Sequence, residues 1–155
     1  MKKNIEVKNV IVKSAADVFL PLALVLGFYV ILHGNISPGG GFQGGVIVAS
    51  AAILLYLGYG YGTTAKALKP EFIRKNEAVA AVCYVTLALL GIFMGANFCR
   101  NVFFDNGNIG DLFSAGTISF MNYAVGYKVL TGVSFLLLLM LGLLGPGDGE
   151  ENETK

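Results

Sequence analysis

Residues 78–98 read AVAAVCYVTLALLGIFMGANF, and the only polar side chains in this run belong to Tyr84, Thr86 and Asn97. A helix of about 20 predominantly apolar residues is long enough to cross the hydrocarbon core of a bilayer. The run therefore predicts a transmembrane helix over residues 78–97.

Three further apolar runs flank this segment. Across the whole chain 55% of the residues are hydrophobic and 14% are charged, whereas a soluble domain usually carries about 25% charged residues. The composition indicates an all-α integral membrane protein with four transmembrane helices. The predicted helices span residues 16–32, 44–61, 78–97 and 123–144.

The predicted membrane domain occupies residues 16–145, with a polar segment on each side. Residues 1–15 are expected to form a cytoplasmic N-terminal leader. Ser14 and Asp17 have the spacing of a capping box, which predicts that the first helix begins there. Residues 146–155 read PGDGEENETK and are expected to form a disordered acidic tail.

Lysine and arginine residues are unevenly distributed between the two sides of the predicted bundle. Cytoplasmic segments are enriched in these residues, and only Arg100 lies in the two loops on the other side. We therefore expect both termini in the cytoplasm and the loop that contains His33 outside. The basic residues that support this orientation precede the first helix or connect the second and third: Lys2, Lys3, Lys8, Lys13, Lys66, Lys69, Arg74 and Lys75.

Ionisable side chains are scarce inside the predicted spans, which have no Asp or Glu in their middle. Membrane carriers of protons or sodium ions place ionisable groups inside the bilayer, so an ion path needs carboxylates from elsewhere. Lys128 is the exception, because it lies inside the last span near its outer end. Its side chain either pairs with a buried group or extends toward the lipid headgroups. With His33 and Asp111 on the same side, we predict one polar cluster.

His33 is the only histidine, and its imidazole can titrate near neutral pH. It either relays protons at an outer mouth or anchors the loop through a hydrogen bond. No cysteine or histidine pair has metal-ligand spacing, so we expect no metal site. We also expect no cofactor and no catalytic centre in this chain. The chain also has no basic cluster suited to nucleic acid.

The loop after the first helix is rich in glycine and reads HGNISPGGGFQGG over residues 33–45. Its literal match to G-x-G-x-x-G is not a dinucleotide motif, because a transmembrane helix rather than a strand precedes it. Non-helical backbone near membrane depth must be shielded by protein or by a water cavity. We therefore predict a packed structural loop that comprises Ser37, Pro38, Gly39, Gly40, Gly41, Phe42, Gln43, Gly44 and Gly45.

Small residues recur at four-residue spacing at Gly41, Gly45 and Ala49, and again at Gly91 and Gly95. Such positions let helix backbones approach closely, which favours helix association in lipid. They serve contacts either within this chain or with a neighbouring subunit.

Two motifs resemble a known family. The string HGNISPGGGFQGG at residues 33–45 strongly resembles the signature of the MnhB/MrpB subunit of multisubunit Na+/H+ antiporters. The string NYAVGYKV at residues 122–129 resembles the start of that family's last helix, which carries a lysine. One position departs from the family, since Asn35 stands where another histidine is common, and this argues against a role that needs a histidine pair.

The resemblance implies an accessory subunit of a hetero-oligomeric complex in the prokaryotic cytoplasmic membrane. Such a complex exchanges Na+ for H+, and the partners are other Mrp/Mnh-type subunits. The same module also occurs in membrane-bound hydrogenases and sulfur-reducing complexes, which would add hydrogenase-like partners. A free-standing small channel or scaffold is a further alternative, which the missing carboxylates disfavour.

Overall fold

The computed structural model describes residues 2–34, 36–37, 39–103, 108, 111 and 115–144. The described residues form four α-helices and no strand, and all four helices are long and apolar enough to cross a membrane. The predicted all-α membrane fold is confirmed. The predicted disordered tail, together with Asn35 and Pro38, lies outside the described residues. The helices are α1 (Lys2–Leu32), α2 (Gly40–Leu68), α3 (Pro70–Phe93) and α4 (Thr117–Leu144).

Helix α1 is much longer than the first predicted span. It begins at Lys2, so the predicted leader and the first span form one continuous helix. Residues 2–15 contain four lysines, which are good helix formers, and no glycine or proline that would end a helix. Asp17 consequently lies inside α1, and the predicted capping box is wrong.

Helix α2 begins at Gly40, four residues before the predicted start. Residues 40–45 therefore form its first turns, and the prediction that they belong to a packed loop is wrong. The four glycines of this stretch are buried, whereas Phe42 is 58% exposed and Gln43 is also exposed. Because a helix repeats every 3.6 residues, residues 40, 41, 44 and 45 share one face and the two larger side chains point away from it.

Helix α2 lies between α1 and α4, and glycines make both contacts close. A Cβ atom added to Gly44 would lie 2.7 Å from the carbonyl oxygen of Gly27 in α1. A Cβ atom added to Gly45 would lie 2.8 Å from the carbonyl oxygen of Gly126 in α4. The spacing of four seen at Gly41, Gly45 and Ala49 thus serves contacts within this chain.

A single residue, Lys69, separates α2 from α3. It adopts a left-handed conformation with φ of 41°, and Pro70 occupies the first turn of α3, where its missing N–H costs no hydrogen bond. The bundle therefore has two unlike ends. We call the end with Lys69 the turn end, and the opposite end, where α1 ends at Leu32 and α2 begins at Gly40, the loop end.

Candidate functional site

An ion pair links α3 and α4 inside the two helices that are long and apolar enough to cross a membrane. The Nζ atom of Lys128 lies 2.8 Å from Oε1 of Glu77, and the two side chains are 43% and 31% exposed. At 1.5 Å per residue, Lys128 lies about 16 Å from the start of α4 and Glu77 about 10 Å from the start of α3. Since the two helices start at opposite ends of the bundle, the pair lies well within its length.

Glu77 was missed in the sequence because the predicted third span began one residue after it. The structure begins α3 at Pro70 and places Glu77 inside the candidate span Pro70–Phe93. The sequence predicted no Asp or Glu in the middle of a span, whereas the structure places Glu77 about 10 Å inside α3. Proline is common at the first position of a helix, so Pro70 was the signal that could have found the earlier start.

A second hydrogen bond joins the residues that immediately precede this pair. The hydroxyl of Tyr127 donates to Oδ1 of Asn76 at 2.8 Å. Two consecutive residues of α3 therefore meet two consecutive residues of α4. We call these four residues, Asn76, Glu77, Tyr127 and Lys128, the polar seam.

Two grooves on the bundle surface adjoin Lys128. One has a volume of about 280 Å³ and is lined by α3 and α4 residues that include Tyr84 and Val125. The other has about 430 Å³ and is lined by residues that include Phe42, Glu77 and Gly132. The ammonium group of Lys128 is thus accessible from the side of the bundle on which α3 packs against α4.

The other predicted site residues make contacts near their own positions in the sequence. In His33, Nδ1 lies 3.1 Å from the carbonyl oxygen of Tyr29, and the two rings lie 4.3 Å apart. Oδ2 of Asp111 accepts a hydrogen bond of 3.2 Å from the N–H of Asn108. Lys128 has its partner on α3, and the polar cluster of His33, Asp111 and Lys128 stays a prediction.

A polar contact between α1 and α2 was not predicted from the sequence. The hydroxyl of Tyr59 donates a hydrogen bond to Oδ1 of Asp17, and Nζ of Lys13 lies 4.7 Å from the centre of the Tyr59 ring. These residues lie toward the turn end, one turn apart on α1. Asp17 therefore serves the contact between two helices and not the start of one.

No metal centre is evident in the part of the chain that the structure describes. No three His, Cys, Asp or Glu side chains lie close enough there to hold a metal ion. The chemistry available at the polar seam is that of a carboxylate, an ammonium group, an amide and a phenol. Such groups can hold charge and hydrogen bonds inside a membrane.

Asn122 fixes the loop end of the bundle. Its Nδ2 donates to the carbonyl oxygen of Ile31 at 2.9 Å, and its Oδ1 accepts from the N–H of Gly41 at 2.9 Å. One side chain of α4 therefore holds the end of α1 and the start of α2. Lys128 follows Asn122 by about 9 Å along α4, which separates the polar seam from the glycine contacts.

Replacing Asn122 by Leu is expected to destabilise the fold by about 2 kcal/mol. The Gly41 N–H would lose its acceptor and become a buried unpaired donor, which costs about 1–3 kcal/mol. The carbonyl of Ile31 also accepts from the N–H of Gly34 and is less affected. Thermal unfolding in detergent measures the change. Thr86→Val is the control, because Thr86 donates only to Val82 within its own helix; equal unfolding temperatures for both variants would contradict the role of Asn122.

Comparisons with known proteins give consistent findings. Residues 11–135 match a domain described as related to the MnhB subunit of Na+/H+ antiporters. A Staphylococcus haemolyticus protein named as antiporter subunit mnhB2 is 29% identical over 147 residues, which cover 94% of this chain and 98% of that protein. An uncharacterized protein of Methanocaldococcus jannaschii is 36% identical over 135 residues, which cover 84% of this chain.

A solved structure is also similar. One chain of the membrane-bound sulfane sulfur reductase, an archaeal respiratory membrane complex, aligns with a TM-score of 0.65 and 30% identity over 84% of this chain. The present chain spans 57% of that chain's length and 51% of the length of the Methanocaldococcus jannaschii relative.

Proposed function

The chain belongs to the family of proteins related to the MnhB subunit of Na+/H+ antiporters, and from this we propose that it is an accessory subunit of a multisubunit complex that exchanges Na+ for H+. It is a multi-pass membrane protein. We place it in the prokaryotic cytoplasmic membrane with both termini inside, because its basic residues concentrate at the turn end. The subunit has no catalytic centre of its own.

The polar seam is the observation that carries this proposal. Charged side chains within a membrane span are costly and usually mark ion pathways or structural pairs. The seam supplies one acid and one base at one depth of the bundle. A path across the whole bilayer needs further ionisable groups, so neighbouring subunits complete it.

The exposure of the pair also supports a covered position in a complex. The ammonium group of Lys128 has three N–H donors, and Oε1 of Glu77 accepts one of them. Lipid tails offer no hydrogen-bond acceptors. A neighbouring subunit or a water-filled path would satisfy the remaining donors, and this favours other antiporter subunits as partners.

A redox-driven complex is the second candidate. The similarity to a chain of the membrane-bound sulfane sulfur reductase favours it. In that setting the same subunit would belong to the ion-translocating part of the complex. A reaction in redox subunits would then drive ion movement, which a stand-alone antiporter does not require. The identity of the co-purifying subunits separates the two candidates.

Transport measurements in membrane vesicles test the proposed function. Vesicles that contain all other subunits of the complex but lack this chain should show no Na+-dependent proton exchange. Adding the chain back should restore exchange, whereas the chain expressed alone should give none. Exchange by the chain alone would contradict the proposal and favour the free-standing small channel.

A further inference from the structure

A cavity of about 370 Å³ lies among the four helices toward the turn end. Side chains of α1 and α2, such as Leu20 and Leu55, form one side of it, and residues of α3 and α4 form the other. Most of the lining is aliphatic. Leu68 and Phe72, which flank the turn at Lys69, both line the cavity, so one end of the cavity lies next to that turn.

The polar groups of the lining are largely engaged with each other. The hydroxyl of Tyr127 donates to Asn76, and the hydroxyl of Thr131 donates to the carbonyl oxygen of Tyr127 at 2.8 Å. These groups therefore do not demand a polar ligand. The volume falls within the range of about 300–1,000 Å³ that is usual for small-molecule sites, so the cavity suits a slender apolar group.

The wall of the bundle has a gap beside this cavity. Helix α1 packs mainly against α2 and α3 packs mainly against α4, while α1 and α3 make no contact within the described residues. Leu20 of α1 and Phe72 of α3 both line the cavity, and Phe72 is 65% exposed. Phe72 thus stands at a rim through which a lipid tail can enter from the membrane.

Basic side chains surround the turn next to the cavity. Residues 66–75, which comprise the end of α2, Lys69 and the start of α3, carry four exposed basic residues and one exposed acid, Glu71. These charges alternate along the chain with the cavity residues Ala67, Leu68 and Phe72. Basic sites between transmembrane helices at the membrane surface attract the head groups of anionic lipids. The basic residues are Lys66, Lys69, Arg74 and Lys75.

We propose that this cavity binds an acyl chain of an anionic phospholipid, with the lipid phosphate held by the basic residues of the α2–α3 turn. The cationic turn favours an anionic head group over a zwitterionic one. A lipid in this position would fill the space between α1 and α3, which do not pack against each other within the described residues.

Lipid binding to the purified complex tests the charge part of the proposal. The complex is delipidated in mild detergent, and phosphatidylglycerol or phosphatidylcholine is added before native mass spectrometry. We expect the complex to retain phosphatidylglycerol in preference to phosphatidylcholine. The double variant Lys66→Gln/Lys69→Gln should weaken phosphatidylglycerol binding by about thirtyfold. Arg100→Gln, which removes a charge at the loop end, is the control and should leave binding unchanged.

A cavity-filling variant tests the position of the acyl chain. Ala52 is buried and lines the cavity, so Ala52→Leu reduces its volume. This variant should abolish the rise in unfolding temperature that phosphatidylglycerol gives the unmodified complex. Equal retention of the two lipids, loss of binding in Arg100→Gln, or a full lipid effect in an assembled Ala52→Leu complex would overturn the proposal. If Ala52→Leu does not assemble, the comparison of the lysine variant with Arg100→Gln decides.

Discussion

Replacing Glu77 by Gln is expected to reduce Na+-dependent proton exchange by at least about tenfold and to lower the amount of assembled complex. The substitution leaves the cation of Lys128 without its counter-charge inside a membrane span. An uncompensated lysine at the centre of such a span costs about 2.5–3.5 kcal/mol on insertion scales. Exchange is measured in membrane vesicles as the Na+-dependent collapse of a pH gradient, and assembly is measured by quantifying the complex in the same membranes.

The double variant Glu77→Gln/Lys128→Gln separates a structural role from a role in ion movement. It removes both charges, so no unpaired charge remains in the membrane, and assembly should return close to its normal level. Exchange should nevertheless stay at least about tenfold below normal, because the ionisable groups are gone. If the double variant recovers exchange together with assembly, the pair is only structural.

Two single variants serve as controls in the same vesicles. Glu71→Gln removes an exposed carboxylate in the first turn of the same helix and should change neither exchange nor assembly. His33→Ala removes a side chain whose hydrogen bond and ring contact both go to Tyr29 within α1, so assembly should be normal. The rate of Na+-dependent proton exchange in the His33→Ala variant tests whether His33 relays protons, which stays a prediction.

Replacing Gly44 or Gly45 by Ala is expected to destabilise the bundle by about 1–3 kcal/mol, and replacement by Leu should prevent assembly. An added methyl group at either position would meet helix backbone, which cannot move aside as a flexible side chain can. Overpacking of this kind costs about 1–3 kcal/mol even where the neighbours can adjust. The unfolding temperature of the detergent-solubilised complex measures the effect.

Gly62→Ala is the matched control within the same helix. A methyl group at Gly62 meets nothing within 4 Å, and alanine is favoured over glycine inside a helix by up to about 1 kcal/mol. This variant should therefore be neutral or slightly stabilising. If Gly62→Ala lowered stability as much as Gly45→Ala, α2 would be sensitive to substitution at any glycine. The close contacts at Gly44 and Gly45 would then not explain why glycine is required there.

The four spans could be predicted from the sequence because their apolar runs are long and clear. Their ends could not, since hydropathy stops at charged or glycine residues whereas helical hydrogen bonding continues. Helix α1 accordingly extends back to Lys2 and α2 begins at Gly40. A run of glycines beside a proline usually indicates a loop, and only tertiary packing turns residues 40–45 into helical turns.

The candidate site was predicted in part. Lys128 was identified within the last span. Its partner Glu77 was not, because the predicted third span began one residue after it. Glu77 and Lys128 lie 51 positions apart in sequence, and nothing local to either residue indicates that α3 packs against α4 at this register. The four-residue spacing of Gly41 and Gly45 was visible in the sequence, whereas the helices that approach these glycines could be identified only in the structure.

The composition of the complex is the most direct test of the proposed role as an accessory subunit. The chain is tagged, purified from its native membranes in mild detergent, and its co-purifying proteins are identified and quantified by mass spectrometry. We expect stoichiometric recovery of other antiporter subunits, and redox subunits in addition if the complex is redox-driven. Recovery of the chain alone, or only with further copies of itself, would contradict its role as a subunit of an ion-translocating complex.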